Sequence, residues 1–289
     1  MGRPRVVLAH GRAAQFDIPD STSRLWADAL RLSLLRVGSN FAEGIDVGYA
    51  YFGGFWRPDA AHDSPRFRDS KGRRYSVKLE PTASIVVEPA PPGGVGPAIV
   101  GDLAGLADQL PDFLLKPLLK AAIPDVFEYL DQPTLQTKVD KVVRDACTTA
   151  DTAVLVGFSM GSIVGYNMLR TAKPALPVKT FITCGSPIAL GPIYKEVRRV
   201  AGGATPFPPN LSLWLNLWSD SDAATGIHGD AMTAMFPSAA PGRAIQHTQN
   251  WGRTAEATNP FVAHDPVDYL SSLAMGVALH TALVEATKP

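Results

Sequence analysis

Apolar and polar positions recur along this chain in two periods, and the places where the period changes mark out its elements. Arg5 to Ala9 is a short apolar, β-branched run that reads as a strand and ends in His10-Gly11-Arg12. Leu25, Trp26, Ala29, Leu30, Leu34 and Val37 then fall at helical spacing, behind the N-cap candidates Asp20 to Ser23. Ile45, Val47, Tyr49 and Tyr51 alternate with Asp46, Gly48 and Ala50, the period of a strand. A β-α-β order this early predicts a mostly parallel sheet with helices on both faces.

Between about 53 and 101 the pattern decays. A weak alternation at Tyr75, Val77 and Leu79 predicts at most a small hairpin, and Pro89 to Gly94 reads as a linker. Arg66, Arg68, Lys71, Arg73 and Arg74 form a basic cluster there, read as solvated loop surface. Helical spacing returns at Leu103, Leu106, Ala107 and Leu110, and Phe113 to Ile123 is strongly apolar. Two readings stand for that stretch: a lid over the mouth of an acyl pocket, or a helix packed into the core. Leu135, Val139, Val142, Val143 and Ala146 make an amphipathic stripe opposite Lys138, Lys141, Arg144 and Asp145.

Strand-like runs follow at Thr152 to Phe158, Val178 to Cys184 and Leu211 to Trp218, with a partly helical stretch from Ile188 to Val200. Ala223 to Ala263 reads as irregular. A last helix is predicted from Pro266, capped by Asp265, with Val267, Leu270, Leu273, Ala274, Val277, Ala278 and Thr281 as its buried stripe. The expectation is one domain over 1–289, with an inserted lid or cap at about 53–133.

Composition narrows the classes. The 289 residues are 46% hydrophobic, enough for a sizeable core. Lys+Arg and Asp+Glu are both 27, so no basic footprint for nucleic acid is present. Cys147 and Cys184 do not make a disulfide framework and read as buried thiols. No apolar run approaches a membrane span, and with a strand-like run from Arg5 no secretory signal is expected. The expectation is a soluble, cytoplasmic protein, and no cofactor or metal is implied by any His-Glu-x-x-His pair or Cys/His cluster.

The candidate chemistry lies at Gly157-Phe158-Ser159-Met160-Gly161. The motif follows a strand and opens a helix, the context in which a serine is presented at a sharp, strained corner. The amide of Met160 at the helix start would be one oxyanion donor. The amide of Arg12 or Ala13, just after the first strand, is the candidate for the second. His10 is read as an orienting loop residue.

A serine hydroxyl needs a neutral imidazole as base and a carboxylate to fix that imidazole. Asp220 and Asp222 both follow the strand ending at Trp218. Of the four histidines after Ser159, His228 and His247 lie in the irregular region and His280 inside the final helix. His264 lies immediately before that helix and is the leading base, with His247 next.

Gly-Phe-Ser-Met-Gly-Ser from Gly157, Cys-Gly-Ser-Pro from Cys184, the run Trp214 to Asp222, and His264 followed by Tyr269-Leu270 together resemble the α/β-hydrolase superfamily. More narrowly they resemble its lipase and esterase branch of the GPI-inositol-deacylase type. Asp125 to Leu130 looks like a helix found in such proteins. The resemblance implies the α/β-hydrolase fold, Asp222 rather than Asp220 as the acid, and His264 as the base. It also implies cleavage of a small-molecule or lipid carboxylic ester through an acyl-enzyme. A peptidase, an amidase, a thioesterase, or a non-catalytic module that binds a partner are the alternatives. Serine at the corner, rather than aspartate, argues against the epoxide hydrolase and dehalogenase chemistries of related folds.

Overall fold

The structure, a computed structural model, describes residues 4–11, 19–56, 66–68, 74–79, 85–89, 116, 119–120, 123–222, 224–225, 230–240, 243–250 and 264–287. Six strands form an all-parallel sheet: β1 (Arg5–Ala9), β2 (Asp46–Ala50), β6 (Thr152–Phe158), β7 (Thr180–Cys184), β8 (Leu213–Trp218) and β9 (Ile245–Gln249). Their order is β2-β1-β6-β7-β8-β9. Three further strands, β3 (Arg66–Arg68), β4 (Arg74–Leu79) and β5 (Ile85–Pro89), pair antiparallel in a separate sheet, one strand more than the expected hairpin.

Central strands of a parallel sheet are covered on both faces, so they read as continuous apolar runs. Val6 to Ala9 of β1, all of β7, and all of β6 except Ala153 are buried. Alternate side chains still choose opposite faces. Val7, Ala9, Leu155, Phe181 and Trp214 join one core with α2 (Pro124–Asp131), α3 (Pro133–Ala146), α4 (Met160–Thr171) and α5 (Gly191–Val200). Val6, Leu8, Val154, Val156, Ile182, Leu215 and Leu217 face the other, with α1 (Pro19–Arg36), α7 (Pro266–Leu270) and α8 (Leu273–Ala286). A short helix, α6 (Asp230–Met235), lies between β8 and β9.

The chain leaves β1 toward β2 on one side and leaves β6 toward β7 on the other. Adjacent parallel strands that depart in opposite directions open a crevice at their carboxyl ends, where ligands of open α/β sheets bind. Ser159 is the first residue beyond β6 at that crevice.

Several expectations are corrected. The irregular stretch expected from Ala223 to Ala263 contains α6 and the edge strand β9, where Ile245 alone is buried. The last helix is two, broken at Ser271-Ser272; Ser272 caps α8 by accepting from Met275 N at 3.0 Å. That break shifts the phase, so Leu273 and Val277 are exposed while Met275, Leu279, Ala282 and Leu283 are buried. Helix α1 starts at Pro19, which puts Asp20 to Ser23 inside it rather than capping it, and Leu25 is exposed.

Helix α2, placed in the cap by its position in sequence, packs into the core through Val126, Phe127, Tyr129 and Leu130. Leu119 is buried in the same core. The helical face Leu103 to Leu110, most of Phe113 to Ile123, Lys71 and Arg73 lie outside the described residues. No helix among the described residues is long and apolar enough to cross a membrane.

Candidate active site

Ser159 joins β6 to α4 with φ 51 and ψ −122, the one non-glycine positive φ among the described residues. A serine holds such a conformation only where its surroundings over-determine it. Its N–H donates to Cys184 O at 3.0 Å, and its carbonyl accepts from Ser162 N at 3.0 Å and Ser162 Oγ at 2.5 Å. Ser162 Oγ is also 2.6 Å from Ser186 Oγ, so two buried hydroxyls brace the corner from below. The end of β1 presses on it from beside: a Cβ on Gly11 would lie 3.0 Å from Ser159 Cβ.

His264 precedes α7, whose first turn is capped by Asp265 accepting from Val267 N at 2.7 Å and Asp268 N at 3.1 Å. Its Nε2 lies 2.9 Å from Ser159 Oγ. Its Nδ1 lies 3.0 and 2.9 Å from the two carboxylate oxygens of Asp222. A carboxylate only accepts, so Nδ1 carries the proton and Nε2 of the neutral ring is left to accept from the serine hydroxyl. The imidazole stacks on Phe158 at 4.7 Å.

Gly185, at the end of β7, packs beside it with φ 54; a Cβ there would sit 3.0 Å from His264 Cε1 and 3.2 Å from Asp222 Oδ2. Only glycine meets both demands, the backbone and the space.

Asp222 has no exposed side-chain surface. A buried carboxylate is tolerable only with its lone pairs satisfied. Ala224 N donates to Oδ1 at 2.9 Å and the Tyr269 hydroxyl to Oδ2 at 2.8 Å, besides His264. The turn that aims Asp222 inward is held by Asp222 N donating to Ser219 O at 3.0 Å and by Thr225 Oγ1 donating to Asp222 O at 2.9 Å. Burial first, then the Asp222 charge, pushes the Tyr269 hydroxyl well above the usual tyrosine range, so it stays a donor. The same two causes raise the Cys184 thiol.

The structure therefore brings Ser159, His264 and Asp222 into one hydrogen-bonded chain at the crevice, and Met160 opens α4 beside them. The first amides of a helix have no intrahelical acceptor and favour negative charge. Arg12 and Ala13 lie outside the described residues, as does His228.

The remaining candidates are elsewhere. Asp220 is exposed and accepts from Gln249 Nε2 at 2.7 Å. His247, on β9, lies 3.4 Å from Asn216 Nδ2 and 3.3 Å from Thr233 Oγ1. His280 packs against Ser39 Oγ at 2.9 Å. His10 is buried; its Nε2 accepts from Phe52 N and Gly53 N at 2.9 and 3.1 Å, and its Nδ1 lies 2.6 Å from Gly11 O. Burial lowers it to about 4, the Gly11 contact opposing, so it is a neutral strut between β1 and the end of β2.

Tyr269, Phe158, Gly185 and the Ala224 amide had no assigned role in the sequence reading. Tyr269, Phe158 and Gly185 lie in motifs that carry the resemblance, and the Ala224 amide has no such signal. Among the described residues no three His, Cys, Asp or Glu side chains converge as metal ligands. A surface cleft lined by Lys120, Pro124, Phe127, Glu128, Asp131 and Gln132 shares no residue with the Ser159 site. No protein-family model matches the chain, and no curated protein matches it.

Proposed function

We propose that the chain is a serine hydrolase of the α/β-hydrolase fold, in the lipase and esterase branch, acting on carboxylic esters. The observation that carries the reading is the chain of contacts from Ser159 Oγ to His264 Nε2 and from His264 Nδ1 to the buried Asp222, at a strained corner between strand and helix. The order serine, acid, histidine along the chain, each on a loop after a parallel strand, supports the same reading. The excursion between β2 and α2 belongs to the proposal as its cap.

Ser159 Oγ attacks the ester carbonyl carbon as its proton passes to His264 Nε2. The carbonyl oxygen takes the negative charge and is met by the Met160 amide, with Arg12 or Ala13 as the second donor. Collapse breaks the bond to the alcohol oxygen, which takes the proton from Nε2 and leaves. Water then repeats the sequence on the acyl-serine, releasing the acid and restoring Ser159. Asp222 holds Nδ1–H and stabilises the imidazolium without taking the proton.

Hydrolysis of p-nitrophenyl esters of rising acyl length tests this. Wild type is expected to turn them over, and Ser159→Ala to lose at least about 10⁴-fold. Retained turnover in Ser159→Ala, or none in wild type with esters, amides and thioesters alike, rejects the hydrolase. Binding that survives Ser159→Ala without any turnover would mark a non-catalytic module.

A further inference from the structure

We infer that Tyr269 is a positioning residue for the Ser159–His264–Asp222 chain, acting through the Asp222 carboxylate. The contact is observed; its catalytic consequence rests on the hydrolase reading above.

The Asp222 side chain is wholly buried, and its two oxygens have separate anchors besides the imidazole. Oδ1 receives Ala224 N–H at 2.9 Å, and Oδ2 receives the Tyr269 hydroxyl at 2.8 Å. His264 Nδ1 sits between them, 3.0 and 2.9 Å from the pair. Two anchors on opposite oxygens fix the rotation of the carboxylate about Cβ–Cγ. Without the hydroxyl, Oδ2 keeps the imidazole alone, and the plane is free to turn about the Oδ1 anchor.

Helix α7 makes this arrangement specific. His264 and Tyr269 are five positions apart, and the helix between them is closed by its Asp265 cap and by Tyr269 N donating to Asp265 O at 3.2 Å. His264, just before the cap, reaches both oxygens and Tyr269, on the helix, holds Oδ2, so one short segment supplies two of the carboxylate's partners. Beyond α7, Arg36 Nη1 donates to Ser271 O and ties that segment to α1. The ring of Tyr269 is fully buried and lies 6.1 Å from Phe158, the ring on which His264 stacks.

A hydrogen bond to a carboxylate also spreads its charge. The ionisable groups facing Asp222 are His264, Tyr269 and the Cys184 thiol of β7. With the hydroxyl gone, more of the negative charge falls on His264 Nδ1–H, and the imidazolium is favoured. A base that holds its proton to higher pH is idle over more of the acidic range. Tyr269→Phe should therefore move a pH profile, which a merely space-filling tyrosine would not do.

The test compares wild type, Tyr269→Phe and Asp222→Asn in two readouts: the rate of labelling by a fluorophosphonate across pH, and the Nδ1 proton resonance of His264. Tyr269→Phe is expected to fold, to label about tenfold more slowly at neutral pH, and to show the acidic limb displaced upward. Its His264 Nδ1 proton resonance is expected to be displaced from the wild-type position, while Asp222→Asn, which selects the other tautomer, is expected to lose that signal. An unchanged rate, limb and resonance in folded Tyr269→Phe overturns the inference. A shifted resonance in a protein whose wild type takes no label supports the positioning and counts against the hydrolase reading instead.

Discussion

Gly161 runs so close to the end of β1 that a Cβ on it would lie 2.2 Å from the carbonyl oxygen of Ala9 and 2.6 Å from that of His10. The second glycine of the serine motif is thus a packing requirement between α4 and β1. Both obstacles are backbone, which cannot swing aside. Gly161→Ala is expected to cost about 3 kcal/mol or more. Thermal unfolding checks it, and a melting temperature equal to wild type would show that β1 yields freely.

Asp222 and Asp220 are two residues apart and behave oppositely. Asp222→Asn keeps the shape but can present an N–H to the imidazole, which selects the wrong tautomer. Ester turnover is expected to fall about 10⁴-fold. Asp220→Asn, on an exposed side chain paired with Gln249, is expected to stay within about twofold of wild type, the effect of an exposed polar contact. Steady-state kinetics on the two variants decides, and equal losses would remove Asp222 from its proposed role.

Asp265→Ala removes the side chain that caps α7. The expected loss is about 1 kcal/mol of stability, the usual worth of such a cap. Because His264 is the preceding residue, kcat is expected to fall with it while KM holds. Urea unfolding and kinetics on one preparation separate the two effects, and a stability loss with unchanged kcat would show that α7 does not position His264.

A buried histidine and a partly buried aspartate pull stability in opposite directions on acidification. Burial raises Asp140 from its ordinary value to about 6, against the Tyr129 hydroxyl, which donates to it at 2.6 Å, and against Arg144 and Arg170. Below about 6 the folded state takes up a proton that the unfolded chain refuses until about 4, so this group favours folding as pH falls through that window. His10, lowered to about 4, does the reverse: the unfolded chain protonates near 6.5 while the folded one does not. Asp140→Asn removes the compensating group. Its stability is expected to fall more steeply than wild type between pH 6 and 4, as urea midpoints at each pH would show. Parallel curves would mean that Asp140 does not titrate there.

The legible parts of the fold are those where local chemistry and burial agree. The strand before Ser159 is apolar after Thr152 and ends in a motif whose glycines are demanded by contacts, so strand, corner and helix are legible in the chain. The edge strand β9 escaped because Ile245-Gln246-His247-Thr248-Gln249 has one buried position and four polar ones, the composition of a loop. The exposed Leu273 and Val277 were misplaced because the break at Ser271-Ser272 resets the helical phase, and nothing apolar marks it. Asp222 could not be told from Asp220 by placement after β8, since both fit. What separates them is a turn built from Ser219 and Thr225, and a tyrosine from α7 that sequence spacing alone does not aim.

The proposed chemistry requires Ser159 to be an activated nucleophile. Intact-mass analysis after fluorophosphonate treatment, on wild type, Ser159→Ala and His264→Ala, tests it most directly. One adduct is expected on wild type, mapped to the Ser159 peptide, and none on either variant. An adduct on Ser159→Ala, or a folded wild type that takes none, would contradict it.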